Sequence, residues 1–423
     1  MTKAPVSATI ITIGDELLIG QTIDTNSAWM AQELNKLGIW VKRRVAVGDV
    51  YDEIWRALDE ERKQADIILM TGGLGPTADD ITKPLLCEYF GGKMRVDEAA
   101  LENVKTIFQK YLNRPLLERN LKQAEVPDVC TVIQNANGTA PGMWFEKEGT
   151  VFISMPGVPF EMKGMMQDYV LPRLPSIFRL QSVVHKTLLV AGIGESFLAE
   201  RLMDYEASLP DYVKLAYLPH YSLLRLRLTG RGDDQAAVLA EVNRLFGILQ
   251  EEVADVMVIN EDITLEEAIG KNLVRQGKTL SLAESCTGGY ISHLITRVPG
   301  SSAYYVGGVV SYDNSIKEQV LGVNADTLDN SGAVSEETVW QMANGVRQLM
   351  ATDYSVAVSG IMGPGGGTAD KPVGLVWIGV SGHGKTVTQK FNFRFDRTRN
   401  IELTAVNALN MLRILMREHE TVA

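Results

Sequence analysis

The sequence predicts an α/β protein of three domains, on three observations. Its 423 residues exceed what one ordinary hydrophobic core serves. Strand-like and helical segments alternate through residues 1–174 and again through 257–423, the pattern of sheets covered by helices. Residues 175–256 break that rhythm with two successive strand-like segments and a long helical one, an α+β arrangement.

In the first block, Ala8–Ile13, Trp40–Val47, Asp66–Met70 and Val151–Ser154 read as strands. Ser27–Lys36, Asp52–Glu60 and Glu98–Tyr111 read as helices, giving a parallel sheet with helices on both faces. Pro172 and Pro175 read as its exit. In the second block, Lys186–Ala191, Lys214–Leu218 and Leu223–Thr229 read as strands, and Glu195–Tyr205 and Asp233–Leu249 as helices. With few clustered reactive groups, this block reads as a spacer or dimer contact. The third block opens on a helix with Thr264 as cap and Glu267 at the capping-box position. Strands follow at Thr279–Ala283, Val306–Tyr312, Tyr354–Ser359, Val373–Val380 and Val387–Phe393, and Thr398–Met416 closes the chain as a helix.

Composition narrows the function classes. The 45% hydrophobic content is that of a globular protein, and no apolar run approaches the ~18–20 residues that cross a bilayer. Three cysteines without a Cys-x-x-Cys pair, and no signal-peptide pattern, point to a reduced, cytoplasmic protein lacking a structural zinc site. The net charge of −11 argues against an extended nucleic-acid ligand. The densest basic run, Lys42-Arg43-Arg44, reads as a solvated strand edge. Small anionic ligands held by a few local groups fit the chain better.

Three segments of the third block carry chemistry. Ala283-Glu-Ser-Cys-Thr-Gly-Gly289 ends a strand in a tight turn before a helix, which exposes Ser285 beside the backbone amides of Thr287, Gly288 and Gly289. Ser311-Tyr-Asp-Asn-Ser-Ile-Lys317 brings Tyr312, Asn314 and Lys317 to another strand end, and Ser359–Gly367 is a glycine-rich loop containing Gly360, Gly363 and Gly365. Ligands in open α/β sheets gather outside the carboxyl ends of strands, so the three converge on one pocket. Of five histidines only His293 is near Ser285, two turns into a helix and facing away. Lys317 is therefore the better base, although this requires its pKa to fall by roughly 4 kcal/mol of differential environment. Plain structural readings coexist with these: Ser285 and Thr287 as N-caps, Lys317 as a solvated helix lysine, the glycine loop as a flexible turn.

Together with Gly300-Ser-Ser, Gly332-Ala-Val-Ser and Lys371-Pro-Val-Gly, these motifs make residues 260–420 resemble the C-terminal domain of the CinA family. The resemblance implies an amidase that hydrolyses nicotinamide mononucleotide (NMN) to nicotinate mononucleotide and ammonia without a cofactor. It implies Ser285 as nucleophile, Lys317 as base, Tyr312 as assistant, and Arg397 as a phosphate-binding residue. It also implies a homodimer.

The first block has its own constellation. Gly14-Asp15-Glu16 follows the first strand and leads to Asn26, while Thr71-Gly72-Gly73-Leu-Gly75-Pro-Thr-Ala-Asp79-Asp80 follows another. Backbone amides in such a loop suit a diphosphate, and paired carboxylates suit a hard divalent cation bridging it, although Asp79 and Asp80 equally suit a helix N-terminus. The Thr-Gly-Gly-x-Gly loop resembles that of the molybdopterin-binding, three-layer α/β fold, but an acid stands at position 79 where that fold commonly has arginine. The acidic version, with Asn135-x-x-Gly-Thr-Ala-Pro-Gly142 and Met155-Pro-Gly-Val-Pro-x-Glu-Met162, resembles the CinA N-terminal domain. This implies hydrolysis of ADP-ribose to AMP and ribose 5-phosphate with Mg2+, Mn2+ or Co2+, the candidate ligands being Asp15, Glu16, Asp79, Asp80 and Glu161. Thr71, Asn26 and the loop glycines become substrate residues. Two alternatives stand beside this bifunctional hydrolase: a molybdopterin binder with a vestigial third domain, and an adaptor in competence or DNA repair.

Overall fold

A computed structural model describes residues 5–77, 80–112, 116–220 and 223–420. The chain forms two compact units, residues 1–184 with 230–239, and residues 185–229 with 240–423.

The first unit is built on a six-stranded sheet of β1 (Ser7–Ile13), β2 (Trp40–Val47), β3 (Ile67–Thr71), β6 (Thr131–Ile133), β7 (Gly142–Lys147) and β8 (Thr150–Met155). Its order is β2-β1-β3-β8-β7-β6, and β4 (Met94–Val96) pairs separately with β5 (Glu125–Pro127). The neighbours among β2, β1, β3 and β8 are parallel. β1, β3 and β8 are buried along their whole length, as central parallel strands covered on both faces must be. One core lies on each face, around Ile11, Met70 and Phe152 on one side and Ile10, Leu69 and Ile153 on the other.

The sheet is mixed rather than wholly parallel, because β7 and β8 form an antiparallel hairpin. Its two-residue loop, Glu148-Gly149, has positive φ at both positions, the requirement of a type I′ turn. β2 is an edge strand carrying Lys42, Arg43 and Arg44 on an exposed stretch, with Arg43 reaching back 2.8 Å to the buried Glu61. The helix expected over 98–111 is α-helical only across Glu98–Thr106 and widens to a π-helix at Ile107–Leu112. Pro172 and Pro175 lie within the helix Leu171–Ile177, which continues directly from the π-helical turn Met166–Val170.

The second unit holds two sheets. β9 (Ser182–Ala191), β10 (Val213–His220), β11 (Leu223–Gly232) and β12 (Met257–Ile259) are ordered β10-β11-β9-β12, with short helices Glu195–Arg201 and Met203–Ala207 and the long helix Gln235–Glu252. β13 (Leu280–Glu284), β14 (Tyr305–Val310), β15 (Tyr354–Gly360), β16 (Leu375–Gly382) and β17 (Lys385–Asn392) are ordered β14-β13-β15-β16-β17. Leu189, Ala191 and Leu223 of the first sheet share one core with Leu265, Leu280 and Val356, so the middle block is packed on the third rather than tethered to it.

The capping box is present as read. The Thr264 hydroxyl accepts from Glu267 N, Glu267 Oε2 accepts from Thr264 N at 2.7 Å, and Gly277 closes the helix Leu265–Gln276 at φ 64°. Thr264→Ala is expected to lower stability by about 1 kcal/mol in chemical denaturation of the full chain; an unchanged midpoint would show that tertiary packing alone fixes this helix end.

Candidate functional site

β13 lies between two parallel partners, with Glu284 level with Val310 on one side and Val358 on the other. The chain leaves β13 for β14 on one side and returns to β15 on the opposite side, which opens a crevice beyond the strand ends. Ser285, Ser311 and Ser359 therefore emerge together. Ser285 N donates to Val358 O at 3.0 Å, and Ser311 N to Glu284 O at 2.8 Å. The crevice is a cavity of about 210 Å³ lined by Ser285, Cys286, Tyr312, Asn314, Lys317, Ala333, Val334, Ser359, Gly360, Met362 and Arg397.

Lys317 is on the helix Asn314–Gln319, which Asp313 caps by accepting from Ser315 N. Its side chain turns inward and is 1% exposed. Nζ donates to Ser311 O at 2.8 Å and Tyr312 O at 3.2 Å, and among the described residues no carboxylate pairs with it. Burial pulls its pKa below the ordinary 10.5, with Asp313 and Cys286 opposing. Tyr312 is 63% exposed, and its hydroxyl accepts from Arg397 Nη2 at 3.2 Å. Arg397 Nη1 donates to Gly363 O, tying the glycine-rich loop to the cavity mouth. Burial pushes the neighbouring Cys286 thiol up to about 12, so it is no nucleophile at neutral pH.

The anion-binding turn differs from expectation. The buried Glu284 carboxylate accepts from Thr287 Oγ1 (2.7 Å), Gly289 N (3.1 Å), Ile291 N (3.0 Å), and Ser292 N and Oγ (2.8 and 2.6 Å). Gly288 N is spent on Ser285 O. An internal anion thus takes the N-terminus of the helix Tyr290–Thr296, and Gly288 and Gly289 have no amide left for a ligand. The amide of Thr287 donates to no other group among the described residues, and that of Cys286 only to its own thiol. Gly363 and Gly365 are also not cavity residues: Gly363 offers its carbonyl to Arg397, and Asn400 pins the loop through Met362 O. Cys286, Ser359 and Met362 belong to the cavity and were not singled out from sequence, although all three sit inside segments that were.

A second cavity, of about 410 Å³, lies beyond the ends of β1, β3 and β8. Glu16, Gly72, Gly73, Gly75, Asp80 and Glu161 line it, with Asp49 and Gln123 added by the structure. A Cβ on Gly72 would fall 2.1 Å from Ile13 O, and one on Gly73 2.0 Å from Thr82 Oγ1, so Gly72 is required by close backbone packing and Gly73 by the Thr82 side chain and its own positive φ. Asp80 closes the loop on itself: Oδ1 accepts from Gly75 N at 2.7 Å, and Oδ2 from Thr77 N at 2.8 Å. Glu161 accepts from Asn135 Nδ2 at 2.6 Å, and burial raises its pKa.

Three residues expected to touch a ligand make scaffold contacts, and none of them lines the cavity, although Asn26 Oδ1 has no partner among the described residues. Asn26 Nδ2 donates to Gly157 O and Thr71 Oγ1, Thr71 Oγ1 donates to Pro156 O, and Asp15 exchanges hydrogen bonds with Asp49. Asp79 lies outside the described residues. Among those described, no three His, Cys, Asp or Glu side chains gather as a cage for a metal. The donors fit a hydrated divalent ion shared between one or two carboxylates and a phosphate, the mode that Mg2+ prefers.

Residues 262–416 match the CinA C-terminal domain, 185–257 the damage-inducible protein CinA KH domain, and 9–176 a probable molybdopterin binding domain. A CinA-like protein of Cytophaga hutchinsonii is 45% identical over 413 residues, covering 98% of this chain and 99% of its own. The chain belongs to the CinA family. A putative competence-damage inducible protein of Halothermothrix orenii is 40% identical over 96% of the chain and 97% of its own length. Among solved structures, a competence/damage inducible protein of Agrobacterium tumefaciens is 40% identical, covering 36% of this chain and 93% of its own, with a TM-score of 0.36. The KH match was not foreseen in the middle block, which was read only as α+β. KH domains clamp nucleic acid with a Gly-x-x-Gly loop, and residues 185–257 contain none.

Glu284→Ala strips a buried carboxylate from five donors and should destabilise the protein by on the order of 3 kcal/mol, read as a lowered denaturation midpoint. Retention of full stability would show that the helix N-terminus is satisfied by other means.

Proposed function

We propose that this CinA-family chain is a bifunctional hydrolase of pyridine-nucleotide breakdown products. The observation that carries the reading is the cavity shared by Ser285 and a buried Lys317 that pairs with no carboxylate among the described residues. In the amidase half, Lys317 Nζ takes the Ser285 hydroxyl proton as Oγ attacks the carboxamide carbon of NMN. The oxyanion is met by the Cys286 and Thr287 amides, the donors left over once Glu284 has taken the rest. Collapse breaks the C–N bond and Lys317 returns its proton to the departing ammonia. Water, deprotonated by Lys317, then hydrolyses the acyl-serine to nicotinate mononucleotide. Arg397 and Asn314, at the cavity wall, receive the phosphate, and Tyr312 orients Arg397.

In the N-terminal half, the cavity at Gly72–Gly75 takes the diphosphate of ADP-ribose. A divalent ion held by Glu16 and Asp80 would neutralise charge on the diphosphate. Glu161, its pKa raised by burial, accepts the proton of the attacking water. The missing Gly-x-x-Gly clamp and the net charge of −11 both weigh against a nucleic-acid adaptor.

Ser285→Ala and Lys317→Ala should each reduce ammonia release from NMN by about a thousandfold or more; full rates in either variant, or no release by wild type, overturn the serine–lysine reading. Because the neutral amine is the base, kcat/KM should climb with pH through a pKa below 10.5, and Lys317→Arg, which stays charged, should not recover activity. For the other half, AMP formation from ADP-ribose should stop on chelation and return with Mg2+, and Asp80→Ala should not restore it. A chelator-resistant rate would remove the metal from the proposal.

A further inference from the structure

Lys83 is a buried lysine that neither proposed reaction uses. It is 7% exposed on the helix Thr82–Tyr89, and among the described residues no carboxylate pairs with it. Nζ instead donates to Gln123 O at 2.9 Å, Glu125 O at 3.2 Å and Lys122 O at 3.5 Å. These carbonyls belong to the short 3-10 helix Lys122–Ala124 and to the first residue of β5, so one ammonium gathers the whole turn. Asp97 N adds a further tie, to Ala124 O at 2.9 Å.

Gln123 is what this turn delivers. It lines the cavity beyond the ends of β1, β3 and β8, and it is 5% exposed. Its backbone carbonyl is held by Lys83, but its carboxamide enters no hydrogen bond among the described residues. Thr82 Oγ1 and Asn26 Oδ1 are also unpartnered but are sealed from open space; the Gln123 carboxamide is not, and the space it borders is the cavity. Thr139, another lining residue, has an equally unengaged hydroxyl. The other polar side chains of the lining are the carboxylates of Glu16, Asp49, Asp80 and Glu161. A mostly buried glutamine gives up rotamer freedom and hydration, and here it gains no bond for the fold in return. A carboxamide sets a donor and an acceptor side by side, the complement of an adenine edge or of a sugar diol.

We propose that Gln123 reads the nucleoside end of the ligand in this cavity, through a base edge or a ribose diol, and that Lys83 is its positioning residue. The inference rests on the reading of the cavity as an ADP-ribose site, and it names the side chain that sets ligand specificity there. Glycine amides and carboxylates deal with the charged diphosphate; a neutral amide deals with the neutral nucleoside.

Hydrolysis by the full-length protein with Mg2+ tests this, using ADP-ribose, IDP-ribose (a keto oxygen for the amino group) and 2′-deoxy-ADP-ribose as probes. Wild type should prefer ADP-ribose over one analogue by about tenfold or more in kcat/KM: over IDP-ribose if a base edge is read, over the deoxy compound if a diol is read. Gln123→Leu should erase that preference and raise KM for ADP-ribose about tenfold, with kcat changed far less. Lys83→Met should weaken the same preference, with a melting curve reporting its folding. An intact KM and preference in Gln123→Leu, a loss confined to kcat, or a wild type indifferent to both analogues overturns the role of Gln123. A full preference in Lys83→Met overturns that of Lys83. Should wild type hydrolyse none of the three, the hydrolase reading fails by itself, and backbone hydrogen exchange decides the rest. ADP-ribose should then slow exchange across residues 122–125 in wild type and not in Gln123→Leu, and unchanged exchange in wild type overturns the proposal.

Discussion

The carboxylate of Glu284 fixes the geometry on which the C-terminal cavity depends. A strand that ends and turns into a helix leaves the first helical amides without partners, and here they sit within a buried layer where water cannot serve them. Glu284, the last residue of β13, answers this demand from inside the sheet. It draws Gly289, Ile291 and Ser292 towards itself, and the positive φ of Gly288 and Gly289 lets the chain wrap around it. Ser285 is held at the crest of the resulting turn, and its own amide is tied to Val358 on the next strand. The position of Ser285 is thus set by backbone contacts on both sides. The same bond network decides which donors remain, and these are the two amides directly after the serine.

The two halves of the chain use related solutions to different problems. Each cavity opens beyond the carboxyl ends of adjacent parallel strands, and each has a glycine loop beside a buried or half-buried titratable side chain. The difference lies in who satisfies the loop. In the N-terminal half, Asp80 holds Gly75 and Thr77 from within the loop, and the cavity wall carries carboxylates. In the C-terminal half, Arg397 reaches in from a helix start to hold Gly363, and the lining carries the Arg397 guanidinium and the Lys317 amine with no carboxylate among its described residues. An acid-lined wall calls for a cation between protein and phosphate; a cationic wall receives an anion directly. Under the proposed function the two cavities would take phosphate-bearing ligands by opposite electrostatic routes.

Much of this was legible in the sequence because the decisive signals are local. Strand–turn–helix punctuation placed Ser285, Tyr312 and Lys317 at strand ends, and parallel pairing then brought them to one cavity. Thr264 and Glu267 announced their capping box by spacing alone. What was hidden depends on contacts between distant residues or on direction in space. Glu284 reads as one more residue of a buried strand, and nothing in its neighbourhood says that its side chain bends back to take the amides that looked free for a ligand. Asn26 and Thr71 read as binding residues because they are polar and near glycines, but the Asn26 amide nitrogen and the Thr71 hydroxyl proton are spent on Gly157 and Pro156, some eighty-five and more residues downstream, and only Asn26 Oδ1 is left without a partner among the described residues. The Glu148-Gly149 turn was not read from the sequence, since glutamate, unlike asparagine or aspartate, rarely takes positive φ.

Lys317 shows how the fold and the chemistry constrain each other. An ammonium buried with no carboxylate would be costly, and the structure offers it only two carbonyl oxygens. A neutral amine has two N–H bonds and one lone pair, so those two carbonyls satisfy its donors and leave the lone pair unclaimed. The environment therefore favours the form that can act as a base, which agrees with the downward direction of its pKa. A carboxylate placed to stabilise the buried cation would reverse that preference and hold the lysine charged. The strand-end carbonyls of Ser311 and Tyr312 do the opposite: they anchor Nζ without neutralising it, at a site reached from the same cavity as the serine hydroxyl. An amine held this way is poorly suited to structural ion pairing and well suited to moving a proton.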